Sequence, residues 1–486
     1  MNIISQFNKF LLDNFNKYLR NYFYKCNFYN KSSDFNNYFS FIDDLDNFSD
    51  SFIKDVIKSY FEYIDNCFFD SSYRKKFCTS KGFYERKNFV TLFGNITFKR
   101  RYYFDKLTNE HFFFTDLFLG LPKRKHFDPF VCADLAEKSA DNSYSKAGKL
   151  IADKIGKRTH NTIAISRATA RNIVMAMNTN IDIQKEERSV ERLFVMLDEK
   201  FVGSQFNNNI DHMIKASVIF EDTELEYKTK KKKNSIDRYR LINSHTCASI
   251  DNNLLNDTVN YIYNTYDTDK IKEIVFMGDC AKWIKNFPKS HWFNFTTRTT
   301  VKFAMDGFHF SQALNNLTTL KFPDVNKALK QLVKNNNKEN FIELCEQFKD
   351  LNPNRSETIE NKMNYILNNW NERQLYQNNS YMKCSMESHI SHIFADLFTS
   401  RPKAYSKKGL RKLLELRLLK VNGINIKELY FKNIKKHEIF HKQKRITNKN
   451  IKNNKIAKKL KENKYDIQYE TTLIKPLHNL KTIISI

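Results

Sequence analysis

Two apolar runs in this chain each end on an aspartate: Leu193-Phe194-Val195-Met196-Leu197-Asp198 and Ile274-Val275-Phe276-Met277-Gly278-Asp279. Neither run alternates with polar residues, so each reads as a strand buried on both faces. Such strands need helices above and below them, which places the chain in the α/β class. An aspartate closing a buried strand is often only a turn former. It is also where a parallel strand opens onto a cleft. The chain between the two aspartates is long enough for further strands at 213–220 and 239–247 and a helix at 254–266; a fifth strand follows at 301–305. That spacing raises the pair above either member alone.

The formal charge of +27 directs such a chain toward polyanions, because lysines and arginines that neutralise phosphates release counterions. Lysine and asparagine are so abundant that a single one carries little information. The eight cysteines are scattered, with no Cys-x-x-Cys pair. This speaks against a disulfide framework or zinc ribbon and for a reducing cytosol. No apolar run reaches the roughly 18–20 residues of a membrane helix. The start, Met1-Asn2-Ile3-Ile4-Ser5-Gln6-Phe7, lacks the pattern of a signal peptide. The expectation is a cytoplasmic, nucleoid-associated protein with no membrane partner.

Composition divides the chain further. Residues 1–82 read as helical, with Phe7, Phe10, Leu11, Phe15, Leu19 and Phe23 at helical spacing. Residues 83–127 form a β-hairpin segment, turning at Gly94-Asn95, with another strand near Phe112-Phe113-Phe114. Residues 128–180 read as three helices. Asp128 caps the first, Ser143 caps the second, which ends on Gly156, and Ser166 or Thr162 caps the third. A polar stretch, 178–191, acts as a linker. Residues 192–424 hold the strands, with a helical insertion at about 311–380, and 425–486 form a Lys-rich tail.

Chemistry concentrates in a few places. Glu387 lies beside a stripe of Met386, Ile390, Ile393 and Leu397, spaced as one helix face. Two strand carboxylates followed by a helical one is how an RNase H-like core holds two divalent metals. Asp306 and His309 follow the fifth strand; they can contact metal or phosphate, or form a turn with a hydrogen-bonded histidine. Glu199 is a rival ligand, although it points to the opposite face of the strand from Asp198. Cys384, His389 and His392 lack a nearby fourth ligand for zinc. The 143–177 stretch has the pattern of a helix-turn-helix, whose second helix would offer Arg167, Arg171 and Asn172 to a DNA groove. Lys230-Lys231-Lys232-Lys233 reads as a solvated loop.

Four stretches resemble one family. They are Thr91-Leu92-Phe93-Gly94-Asn95-Ile96-Thr97-Phe98-Lys99-Arg100-Arg101-Tyr102-Tyr103; Leu117-Phe118-Leu119-Gly120-Leu121-Pro122; Gly278-Asp279-Cys280-Ala281-Lys282-Trp283-Ile284; and Cys384-Ser385-Met386-Glu387-Ser388-His389-Ile390-Ser391-His392, continuing through Ser400-Arg401-Pro402 to Tyr405-Ser406-Lys407-Lys408-Gly409-Leu410. Together they span roughly residues 85–425. The chain resembles bacterial insertion-sequence transposases of the ISLre group, within the Mutator-like DDE transposases. The resemblance implies that Asp198, Asp279 and Glu387 are the catalytic triad, with Asp306 and His309 as the family's Asp-x-x-His accessory pair. Leu197-Asp198-Glu199-Lys200-Phe201 departs from the family's usual Asp-Gly-Thr.

The expected fold is an RNase H-like catalytic core, a mixed sheet with a helical insertion, preceded by a β-hairpin segment and a helix-turn-helix-like domain. The expected cofactor is a pair of Mg²⁺ ions about 3.5–4 Å apart, with Mn²⁺ as a substitute. The expected reaction is cleavage of double-stranded DNA at terminal inverted repeats, then joining to target DNA, by a homo-oligomer assembled on the DNA. A plain nuclease, or a decayed DNA-binding protein, is the alternative.

Overall fold

The computed structural model describes residues 38–121, 126–159, 163–181, 185–205, 211–227, 238–319, 321–377, 386–400 and 403–434, with scattered positions between 9 and 20. Phe7, Phe10, Leu11, Leu19 and Phe23, the lysines at 230–233, Cys384, and everything from 435 onward lie outside the described residues. The described residues divide into two compact units, one drawn from 1–131, 154–163 and 430–486, the other from 132–153 and 164–429.

In the first unit, a long helix α1 (Tyr38–Asp70) and a short α2 (Ser72–Phe77) precede an antiparallel sheet in the order β1 (Cys78–Thr91), β2 (Gly94–Asp105), β3 (Glu110–Phe113); α3 (Phe114–Phe118) follows. Strand β1 therefore starts ahead of the boundary expected at residue 83. The hairpin turn also sits two residues earlier than the expected Gly94-Asn95. Thr91 pairs with Gly94, leaving Leu92 and Phe93 as the turn, and Gly94 takes the positive φ (102°) that its missing Cβ permits. Phe61 of α1 meets Phe98 edge to face at 4.9 Å, over a core of Phe89, Ile96 and Leu121.

Buried charge also ties this unit together. Asp116 pairs with Arg86 at 3.1 Å and Arg100 at 3.3 Å. Burial raises the Asp116 carboxyl above its ordinary value even with both guanidinium groups beside it. Asp65 of α1 accepts the Arg101 backbone N–H at 3.1 Å and pairs with its guanidinium at 2.7 Å, so helix and strand are joined by a charge-assisted contact.

Next along the chain come α4 (Pro129–Ser139), α5 (Tyr144–Thr159) and α6 (Arg167–Ala176). Asp128 accepts the Val131 N–H, Ser143 the Lys146 N–H and Ser166 the Thr169 N–H, so all three helices start on side-chain caps. Gly156 lies inside α5 and does not end it. Residues 163–166 lead into α6 without helix, and 160–162, including Thr162, lie outside the described residues.

The second unit is built on a mixed five-stranded sheet in the order β10-β9-β4-β5-β8. Its strands are β4 (Arg192–Val202), β5 (His212–Phe220), β8 (His245–Ser249), β9 (Glu273–Gly278) and β10 (Thr300–Met305). β4, β9 and β10 run parallel, and β5 is antiparallel to β4 and β8. β6 (Asp222–Tyr227) and β7 (Arg238–Ile242) form a separate hairpin. The single strand expected at 239–247 is thus two. Asn243 takes a positive φ of 50°, which asparagine tolerates better than most residues, and the chain leaves one sheet for the other there.

β9 is buried along its whole length and β4 from Leu193 to Asp198. Leu193, Val195 and Leu197 pack with Leu254, Val259 and Ile262 of α7 (Leu254–Thr265). Glu273 pins the three parallel strands at their start, bonding Arg192 of β4 at 2.5 Å and Lys302 of β10 at 2.7 Å. The stretch read as a linker is docked instead. The Glu186 and Arg188 N–H groups donate to the carbonyls of Asn264 and Thr265 at the end of α7.

After α8 (Lys282–Asn286) and β10, helices α9 (Gly307–Thr318), α10 (Pro323–Lys334), α11 (Lys338–Asp350), α12 (Ser356–Leu367) and α13 (Trp370–Gln377) close around their own core of Leu314, Leu329, Phe341, Ile359 and Trp370. Then come α14 (Met386–Ile390), a π-helical turn (Ser391–Ala395), α15 (Asp396–Phe398) and α16 (Lys407–Val421). The tail does not begin at 425: Ile426 is buried, and Lys427 pairs with Asp134 at 2.7 Å and Glu137 at 3.3 Å. Among the described residues no helix is long and apolar enough to cross a membrane.

Replacing Asp116 with Ala leaves two buried guanidinium groups without their shared counter-charge. The expected loss is about 3–5 kcal/mol of stability, read as a lower denaturant midpoint for the unit containing it.

Candidate metal centre

The register of β4 on β9 builds the site. Leu197 pairs with Gly278 in the last step of the β4–β9 ladder, so Asp279 leaves the sheet beside Asp198, which stays within β4 and pairs with Ala216 of β5. Gly278 is what lets the strands meet this way. A Cβ there would stand 2.6 Å from the Leu197 carbonyl oxygen and 2.9 Å from Ile284 Cγ2. Its missing side chain makes room for the neighbouring strand and α8.

Strand β10 brings the remaining groups. Met305 pairs with Gly278, and the Asp306 N–H donates to the Gly278 carbonyl at 2.8 Å. Asp306 is buried and caps α9, accepting the Phe308 N–H at 3.1 Å. The first turn of α9 carries His309 back over the strand ends. Asp198, Asp279 and His309 each offer a ligand atom within 4.8 Å of the others. Asp306 stands behind this group, its Oδ2 at 3.9 Å from His309 Nε2.

Local bonds orient both site aspartates. Asp198 accepts the Glu199 N–H at 2.7 Å, and Asp279 accepts the Ala281 N–H at 3.0 Å. Asp198 is only 7% exposed. Two carboxylates held this close repel each other in a low-dielectric setting, and a divalent cation between them relieves that repulsion. The donors fit one. Around an octahedral ion with bonds of about 2.1 Å, opposite ligands lie about 4.2 Å apart and neighbouring ones about 3 Å, so the three side chains would draw together by up to about 1.8 Å to close the shell. Two carboxylates suit Mg²⁺ or Mn²⁺, and the imidazole favours Mn²⁺ of the two.

The other sequence candidates fall out separately. Glu387 lies in α14, which packs against β4, but its side chain lies outside the described residues. Glu199, on the opposite face of β4, accepts the indole N–H of Trp283. Arg167, Arg171 and Asn172 are exposed on α6, while Ala170 and Val174 turn inward. His389 is half-buried, and burial, with His392 beside it, lowers its pKa.

The sequence reading missed Tyr365. It reaches from α12 to the neighbourhood of Cys280. Burial, then Cys280, Asp279 and Asp306 nearby, raise its hydroxyl pKa. Burial likewise pushes the Cys280 thiol up to about 12. Nothing in the spacing of Tyr365 marks it, because only the packing of the helical region brings α12 to the strand end.

Residues 37–435 match UPF0236, an uncharacterised protein family. One UPF0236 protein of Caldanaerobacter subterraneus subsp. tengcongensis is 24% identical over 415 residues, covering 83% of this chain and 82% of its own. A second from the same strain is 25% identical over 413 residues, with the same coverage, and its name joins eleven locus designations. A third, 25% identical over 378 residues, covers 76% of this chain and 74% of its own, and its name joins four.

Gly278→Ala should force β4 and β9 apart at the point where the aspartates emerge. The expected cost is about 1–3 kcal/mol, seen as a lower melting temperature.

Proposed function

The chain belongs to the UPF0236 family, and we propose that it is a DDE transposase resembling the ISLre group of Mutator-like elements. The observation that carries this reading is the pair Asp198 and Asp279, each directly following the last paired residues of the parallel strands β4 and β9, with His309 beside them. The sheet order supports it. Counted from β4 and leaving out the β6–β7 hairpin, the first strand is central; on one side lies the second, antiparallel to it, and then the third, antiparallel to the second; on the other lie the fourth and fifth, parallel to the first. An RNase H-like core calls for this order, which supports the reading. The relatives add a second support, since one protein name shared by eleven loci of one strain is the footprint of a sequence that copies itself.

In this reading Asp198, Asp279 and Glu387 hold the divalent ions, with His309 adjoining and Asp306 fixing the start of α9. Bound Mg²⁺ or Mn²⁺ supplies charge neutralisation at the attacking and leaving oxygens of a phosphodiester. The protein orients the DNA ends and excludes competing geometry. Water cleaves the strand at the element end, and the freed 3′-OH attacks target DNA, so each step exchanges one phosphodiester oxygen for another. The excess positive charge and the exposed Arg167, Arg171 and Asn172 hold the duplex. Assembly of several copies on the DNA and residence at the nucleoid belong to the same reading.

The test uses the full chain with duplexes carrying the ends of its own element. Mg²⁺ should release a 3′-OH end and then yield joined product. Asp198→Asn, Asp279→Asn and Glu387→Gln should each lower cleavage by at least about 100-fold with duplex affinity retained, since even an outer partner of a metal ligand is worth about 10–100-fold. Cleavage without joining would make the protein a nuclease; full activity in Asp198→Asn or Asp279→Asn would remove the site. Arg167→Ala with Arg171→Ala should erase any preference for end sequences over random duplex at one fixed salt concentration.

A further inference from the structure

We propose that Arg417 is a positioning residue that sets the register of the helix bearing Glu387; the inference rests on the proposed reading of the metal site. The π-helical turn Ser391–Ala395 directly follows α14. Within it the Asp396 N–H reaches back five residues to the Ser391 carbonyl. In an α-helix that N–H would serve the His392 carbonyl. The His392 carbonyl instead accepts from Arg417 Nη2 at 2.8 Å, and the next carbonyl, Ile393, accepts from Arg417 Nε at 2.9 Å. The planar guanidinium spans two successive carbonyls, which an ammonium cannot do in the same geometry.

The third arm of Arg417 pairs with Asp141, in the turn between α4 and α5, and Asp141 also pairs with Lys420. Arg417 itself is anchored by α16, whose Leu413, Leu414, Leu416 and Leu419 are buried. One side chain therefore joins the α4–α5 turn, α16 and the π turn. A π turn adds one residue to the helix, which rotates the helical segment before it by about 100° relative to the segment after it. Ile393, Phe394, Leu397 and Phe398 are buried in or beyond the turn and hold that part in place. Glu387 lies before it, on the helix packed against β4. Without Arg417 the His392 carbonyl loses its partner, the α-helical register becomes the better-bonded one, and α14 turns relative to Asp198.

The experiment compares wild type, Arg417→Lys and Asp141→Asn as full chains. Amide exchange over residues 386–398, Mn²⁺ binding followed by the electron paramagnetic resonance of the free ion, DNA cleavage, duplex affinity and melting temperature are measured on each. For Arg417→Lys we expect amide exchange through 391–397 to quicken at least tenfold. The Mn²⁺ half-saturation concentration should rise about tenfold, in line with loss of a group that orients a metal ligand, and cleavage kcat should fall about as much. Duplex affinity should stay within twofold. Asp141→Asn should move the same readouts in the same direction by less. Faster exchange with unchanged Mn²⁺ binding and kcat would make Arg417 a structural clamp only, and unchanged exchange would remove the clamp; either overturns the inference. If Arg417→Lys fails to fold, Asp141→Asn carries the decision, and wild-type Mn²⁺ binding and kcat in that variant overturn it. A wild-type chain that neither binds Mn²⁺ nor cuts DNA fails earlier, at the reading of the site, and takes the inference with it.

Discussion

The parallel pairing of β4 with β9 is the constraint on which the second unit depends. At its start the pairing is pinned by charge. Glu273 bonds Arg192 on one side and Lys302 on the other, and those bonds outweigh the upward push of burial to hold its carboxyl below the usual range. At its end the pairing is set by close approach, because only a glycine at 278 lets the backbone of β9 lie against Leu197. Between those ends the strands are apolar and buried, and a slip of one residue would turn every side chain to the wrong face. The two aspartates are adjacent because the register is held at both ends.

The protein treats buried charge in two ways. In the first unit Asp116 is matched by Arg86 and Arg100, and Asp65 by Arg101, so those carboxylates are neutralised within the protein. Where the β4–β9 pairing ends, Asp198 and Asp279 are set against each other, with a histidine as the third ligand group. Placing like charges together costs stability, and such arrangements are a common mark of a site that takes up a cation. Around this cluster, α9 is started by Asp306 and α12 contributes Tyr365, so the helical region both covers its own core and faces the strand ends.

Much of the local structure was legible because it follows from short-range chemistry. Asp128, Ser143 and Ser166 cap helices through their own side-chain oxygens. The unbroken apolar runs before Asp198 and Asp279 are central strands. The misreadings share a cause, which is that a distant partner decided the outcome. Gly156 continues a helix whose packing overrides a stop signal. Asn243 divides one β-rich run between two sheets. The polar stretch near Arg188 reads as a linker until its N–H groups meet the carbonyls at the end of α7.

By itself the sequence determined that two buried apolar strand runs would each be followed by a carboxylate, that a helix bearing Glu387 would follow, and that the whole would carry a large positive charge. These are properties of composition and of periods of two and 3.6 residues, which act over a few neighbours. Only the tertiary structure decided that the two strands are adjacent and in step, that His309 joins their aspartates while Asp306 stays behind as a cap, and that Glu199 is held by Trp283 on the other face. It also decided that a π turn held by Arg417 follows the Glu387 helix. Each depends on contacts between residues far apart in the chain, and their geometry is set by strand register and by the close fit of backbones, which no local pattern encodes.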